Sequence, residues 1–150
     1  MGVSEKNDQV IPEAQNQQSQ GPLRVLIAED NEINQELLVR ILRKGQHHVA
    51  VANDGHEVLQ TLDSDQFDII IMDVQMPGMS GLEATKAIRQ SEAGTDRHIV
   101  IIGFSASCGK WGMKLCLEAG MDDFVTKPIK QDELFAVIEK TLARRKAASV

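Results

Sequence analysis

Five short apolar runs alternate with five amphipathic stretches along most of this chain, and that alternation restricts its fold more than any other property. The runs at about 24–28, 48–52, 68–72, 99–104 and 123–125 have the length of strands. The stretches between and after them carry apolar residues at helical spacing: Ile33, Leu37, Leu38, Ile41 and Leu42; Val58, Leu59 and Leu62; Leu82, Thr85 and Ile88; and Leu134, Val137, Ile138 and Leu142. Strand then helix, five times over, builds right-handed βαβ units around a parallel sheet. Runs 1, 3 and 4 are almost continuously apolar, as strands covered on both faces are. Local signals agree. Asn31 opens the first helix, and Gly45, after Arg43 and Lys44, is a C′ stop. Asn53 or Asp54 caps the second helix. Ser80 and Glu83 form a capping box, and Gly120 closes the fourth helix, expected at about 111–119.

In such a fold the residues just past the carboxyl ends of the strands converge at one edge. Run 1 ends at Glu29 and Asp30, run 3 at Asp73, run 4 at Ser105 and run 5 at Lys127. Three acids, a hydroxyl and an ammonium at one rim suit a divalent cation and a phosphoryl group. Unit charges about 4 Å apart interact by roughly 4 kcal/mol at an effective dielectric of about 20. Three carboxylates and an incoming phosphoryl group therefore repel strongly unless a cation lies between them.

Bulk properties exclude several classes. At 150 residues and 42% hydrophobic, the chain suits one domain with a real core. A net charge of -6 argues against a nucleic-acid binder or a polybasic membrane anchor. No apolar stretch approaches a membrane span, and the first 20 residues lack a signal peptide's apolar segment. Lys6 stands where a myristoylation signal needs Ser or Thr. Cys108 and Cys116 read as reduced thiols of a cytoplasmic protein. His47 and His48 read as solvated flank residues. Residues 1–21 are polar and Gln-rich and read as a disordered tail or interdomain linker, residues 22–146 as the folded domain, and residues 147–150 as a tail.

Three segments together resemble the receiver domain of two-component response regulators, of the type found in hybrid histidine kinases: Leu26-Ile27-Ala28-Glu29-Asp30-Asn31, Ile71-Met72-Asp73-Val74-Gln75-Met76-Pro77-Gly78, and Ala119-Gly120-Met121-Asp122-Asp123-Phe124-Val125-Thr126-Lys127-Pro128. The likeness covers about residues 23–142. It implies a flavodoxin-like doubly wound (βα)5 fold with a five-stranded parallel sheet in the order 2-1-3-4-5. It also implies roles. Asp73 would be the nucleophile that becomes an acyl phosphate. Glu29, Asp30, Asp73 and the Gln75 carbonyl would hold Mg²⁺. Lys127 would pair with Asp73 and then with a phosphoryl oxygen, behind a cis peptide to Pro128. Ser105 would bond the phosphoryl group beside the small Ala106, and Phe124 stands where the family has a switching aromatic.

The resemblance further implies a partner, a histidine kinase or histidine phosphotransfer protein, docking on helix 1 through Asn31, Ile33, Asn34 and Leu38. The chain is thus expected to take a phosphoryl group from a phosphohistidine onto Asp73 and to switch or relay a signal, catalysing its own phosphorylation and dephosphorylation rather than acting as a conventional enzyme. The alternative is a degenerate receiver that serves only as an interaction module. A haloacid-dehalogenase-type phosphatase needs a second Asp two residues after the nucleophile, where Gln75 stands. No output domain is expected after Arg145, and the Gln-rich leader with the helix 1 pattern points to a hybrid-kinase fragment rather than a stand-alone receiver. Departures lie around strand 4: Gly103 weakens a strand interior, Phe104 needs more space than Leu, and Gly109 and Gly112 predict a late-starting or mobile helix 4 that contains Trp111.

Overall fold

The computed structural model describes residues 21–106 and 109–148, with backbone alone at 109–111 and 148. The leader of residues 1–20, Cys108 and the side chain of Trp111 lie outside the described residues. Strands β1 (Arg24–Ala28), β2 (His48–Ala52), β3 (Ile69–Asp73), β4 (Val100–Ser105) and β5 (Asp123–Thr126) alternate with helices α1 (Glu32–Lys44), α2 (Gly55–Ser64), α3 (Gly81–Glu92), α4 (Gly109–Ala119) and α5 (Gln131–Ala148). All strand pairs are parallel, in the order β2-β1-β3-β4-β5. This is the flavodoxin-like doubly wound topology.

Strand alternation splits the core into two layers. One face of the sheet contributes Val25, Ile27, Ile69, Ile71, Ile102, Phe104 and Val125, which pack against Leu38, Ile41 and Leu42 of α1 and Leu134 and Ile138 of α5. The other contributes Leu26, Ala28, Ile70, Met72 and Ile101, which meet Val58 of α2, Ala84 and Ile88 of α3 and Cys116 of α4. The central strand β3 is buried at every position, which is why its sequence shows no polar alternation.

Capping follows the local chemistry. The Asn31 side chain accepts from Asn34 N–H, Asp54 from Glu57 N–H, and Ser80 with Glu83 forms the reciprocal capping box. Elsewhere the structure corrects the sequence expectations. At Gly45 α1 does end, but the left-handed φ of 68° falls on Gln46. Helix α4 begins at Gly109, earlier than 111, and α5 runs past Arg144 to Ala148. His47 is half buried rather than solvated, and its Nδ1 accepts from Leu23 N–H at 3.0 Å. Burial, then the neighbouring His48, pulls its pKa below the usual imidazole value. Gly103 leaves the room in β4 that Met121 fills, since a Cβ there would lie 2.4 Å from the Met121 sulfur.

The tightest glycine is Gly81, at the start of α3. A Cβ built there would lie 2.1 Å from the Asp73 carbonyl oxygen, a backbone atom that cannot swing aside. Gly81 N–H donates to the Val74 carbonyl at 3.0 Å, so the β3–α3 loop folds back against its own strand. Gly81→Ala is expected to lower unfolding free energy by about 1–3 kcal/mol, the usual cost of overpacking, measured by urea denaturation.

Candidate functional site

Register brings the acids together. Ala28 pairs with Met72 and Ile27 with Ile71, so the next residues along, Glu29 and Asp73, are neighbours just past the pairing. Asp73 pairs with Phe104, and Phe104 with Val125. Glu29, Asp73 and Lys127 each lie two residues beyond Ile27, Ile71 and Val125, all members of the α1/α5 core layer. They therefore continue that column of side chains past its apolar part.

The resulting contacts are direct. Carboxylate oxygens of Glu29, Asp30 and Asp73 lie within 4.8 Å of one another. Lys127 Nζ donates to Asp73 Oδ2 at 3.1 Å and stands 3.5 Å from Glu29 Oε1. Gln75 N–H donates to Asp73 Oδ1 at 3.0 Å, and Asn31 N–H to Glu29 Oε2 at 2.9 Å. The peptide between Lys127 and Pro128 is cis. Lys127 is anchored through its backbone N–H, which donates to the Ser105 carbonyl at 2.9 Å.

Glu29 is 1% exposed, and its Oε1 is buried without a hydrogen-bond partner among the described residues. Burial raises its pKa; the Asn31 N–H lowers it, and the Asp73 charge raises it again. An orphaned buried carboxylate oxygen beside two further carboxylates fits a hard cation that binds oxygen. Against one ammonium the three carboxylates carry a surplus of two negative charges, which a divalent ion would cancel.

The remaining residues fall into three groups. Asp30 is exposed at the rim of the acid cluster, and Gln75 is exposed above Asp73. Ser105 belongs to the opposite strand parity. It lines a cleft of about 620 Å³ with Gln75, Met76, Leu82, Leu115 and Phe124, between the β3–α3 loop and α4. Phe124 is buried in the α2–α4 core layer in this conformation. On α1 the expected partner surface divides. Ile33 is 76% exposed beside Asn31 and Asn34, whereas Leu38 is fully buried and cannot meet a partner. Leu37, expected inside with Ile33, instead joins it outside, because the side of α1 turned to the sheet is centred on Leu38, Ile41 and Leu42.

Two features escape sequence reading. Phe104 lies under Lys127, whose Nζ stands 5.1 Å from the ring centroid, so the larger residue at this position underlies the ammonium. Gln35, near the start of α1, and Asn53, in the loop after β2, bond to each other at 2.8 Å. Nothing in a single sequence links them.

A family model for the response regulator receiver domain matches residues 25–139. The chain is 41% identical over 128 residues to hybrid signal transduction histidine kinase I of Dictyostelium discoideum, covering 82% of this chain and 7% of the kinase. It is similar in structure to the receiver domain of the sensor histidine kinase PA1611 of Pseudomonas aeruginosa, solved with a magnesium ion coordinated in its active site cleft. That likeness has a TM-score of 0.73 and 29% identity, covering 82% of this chain and 99% of that one. It also resembles the Saccharomyces cerevisiae complex of the histidine phosphotransfer protein Ypd1 with the receiver domain of Ssk1, at a TM-score of 0.69 and 34% identity, covering 75% and 83%. No helix among the described residues is long and apolar enough to cross a membrane.

A buried carboxylate whose folded pKa is raised contributes stability below its unfolded pKa and loses it as pH rises through the folded value. Without metal, Glu29→Gln is therefore expected to raise the thermal midpoint at pH 7.5, by an amount that shrinks as pH approaches 4. The same substitution should weaken Mg²⁺ binding. Melting curves and calorimetric titration read the two effects.

Proposed function

We propose, from the premise that the chain belongs to the response regulator receiver family, that Asp73 accepts a phosphoryl group from a phosphohistidine of a kinase or phosphotransfer protein. The observation that carries this reading is the buried Asp73–Glu29 pair, met by one lysine and by exposed Asp30. The chain spans 4–11% of the length of the Dictyostelium hybrid kinases it resembles, so a place within such a kinase is part of the proposal.

The step is an in-line displacement. An Asp73 carboxylate oxygen forms a bond to phosphorus as the phosphorus–nitrogen bond of the donor breaks, and its electron pair returns to the imidazole. Gln75 N–H on Oδ1 and Lys127 Nζ on Oδ2 fix the plane of the Asp73 carboxylate. Lys127 is a compact charge on a flexible stem and can transfer from Asp73 Oδ2 to a phosphoryl oxygen without moving its backbone. Glu29, Asp30, Asp73 and the Gln75 carbonyl would hold Mg²⁺, which supplies charge neutralisation between these acids and the phosphoryl oxygens. Ser105, at the mouth of the neighbouring cleft, would donate to the phosphoryl group, and inward movement of its loop would be felt by Phe124 on the same cleft wall. The donor protein would dock against exposed Ile33 and Leu37, with Asn31 and Asn34 beside the acids.

Incubation with acetyl phosphate and Mg²⁺ should give a hydroxylamine-labile phosphoryl group. Asp73→Asn should abolish it, and Lys127→Ala should retain metal binding while losing the conformational response. An unlabelled wild type would favour the inert interaction module.

Docking is separable from chemistry. Ile33→Asp should slow phosphoryl transfer from a phosphorylated histidine phosphotransfer protein by about 10-fold or more, as expected for loss of a central apolar contact, and leave labelling by acetyl phosphate unchanged. Equal slowing with both donors would remove the docking role from Ile33.

A further inference from the structure

We propose that Gln35 and Asn53 form a positioning pair that sets where the acidic loop stands relative to Asp73. The inference rests on the cation site proposed above and adds to it two residues that touch neither cation nor phosphoryl group.

Gln35 lies half buried near the start of α1. Its Nε2 donates to the Glu29 carbonyl at 2.5 Å and to Asn53 Oδ1 at 2.8 Å. One amide group thus spends its two protons on two different loops, the acid loop after β1 and the loop after β2. Asn53 is itself held: its backbone N–H and its Nδ2 both donate to Glu57 Oε1, at 2.8 and 3.1 Å. Glu57 in turn sits in the capped first turn of α2, its N–H donating to Asp54 Oδ1 at 2.9 Å. Each of these bonds ends on backbone or on another member of the chain.

The effect on the acids follows from peptide geometry. Glu29 N–H donates to the Ala52 carbonyl at 3.0 Å, and its own carbonyl accepts from Gln35. The Glu29 backbone N–H is therefore tied directly to the end of β2, and its carbonyl is tied there through Gln35 and Asn53. The peptide unit after Glu29 is planar and rigid, so the direction of the Glu29 carbonyl sets where the Asp30 Cα stands and where its side chain starts. Asp30 itself is exposed. The α2 end of this chain also leans on the loop that follows Asp73: Gly55 N–H donates to the Met79 carbonyl at 3.2 Å, and a Cβ at Gly55 would lie 2.8 Å from that oxygen. A path of contacts thus runs from Glu29 to the β3–α3 loop outside the site itself.

The test uses Gln35→Met, which keeps length and removes both donors, Asn53→Ala, and the double variant. Mg²⁺ affinity is measured by calorimetric titration, and amide exchange of residues 29–31 is measured in metal-free protein. Gln35→Met should weaken Mg²⁺ binding by about 10-fold, the low end for loss of a group that orients ligands. Exchange at residues 29–31 should quicken, while the thermal midpoint is retained. The double variant should lose no more affinity than Gln35→Met alone, because the two residues act through one bond path. If the wild type binds Mg²⁺ and Gln35→Met binds it equally well, the pair has no positioning role. A lowered melting temperature with unchanged metal affinity likewise overturns the proposal. If the wild type binds no Mg²⁺, the cation site fails, and unchanged loop exchange then rejects the pair as well. Should Gln35→Met not fold, Asn53→Ala alone carries both readouts, and values equal to wild type overturn the proposal.

Discussion

Holding the buried Glu29 against Asp73 is the constraint around which the rest of this structure is arranged. Two carboxylates at the tips of adjacent strands repel, and both are almost wholly removed from water. Burial raises the pKa of Glu29, and Lys127 and the Asn31 N–H draw it back. Neither gives Glu29 Oε1 a hydrogen bond. The arrangement is electrostatically incomplete, and a domain with a large apolar core can tolerate such a cost where a surface patch could have dispersed it.

The core supplies that tolerance directly. The column of Ile27, Ile71 and Val125 runs straight into Glu29, Asp73 and Lys127, so the charged groups are held by the rigidity of the apolar layer beneath them. Phe104 belongs to that layer and also lies under the Lys127 ammonium. Gly81 allows the first turn of α3 to press on the Asp73 carbonyl. Ser105 and Phe124 face the other layer, along the cleft beside α4. In the proposed function this divides the molecule into a column that holds the phosphoryl group and a cleft that senses it, with strand β4 contributing Phe104 to one and Ser105 to the other.

Much of this was legible from particular residues. Asp73, the last residue of β3 after Ile69-Ile70-Ile71-Met72, and Glu29-Asp30 after Val25-Leu26-Ile27-Ala28, mark strand ends because a charge is costly within a strand covered on both faces. Ser80 and Glu83 announced their helix through a reciprocal hydrogen bond that depends only on local spacing. Other positions misled. Ile33 and Leu37 share the helical period of Leu38, Ile41 and Leu42, yet a helix buries only the stripe its neighbours cover, and they lie beside it. Leu38, placed at a partner surface by the family resemblance, instead belongs to the buried stripe. His47 looked solvated beside His48, but its ring accepts a hydrogen bond from the start of β1.

Periodicity, capping residues and charge at strand tips are local, so the order of elements, the parallel sheet and the candidate acids were determined by the chain itself. Which residues became neighbours was decided only by packing. The register that sets Glu29 beside Asp73, the ring beneath Lys127 and the bond between Gln35 and Asn53 each join segments far apart in sequence. No local pattern specifies such distances, because they depend on how two apolar layers close over one twisted sheet.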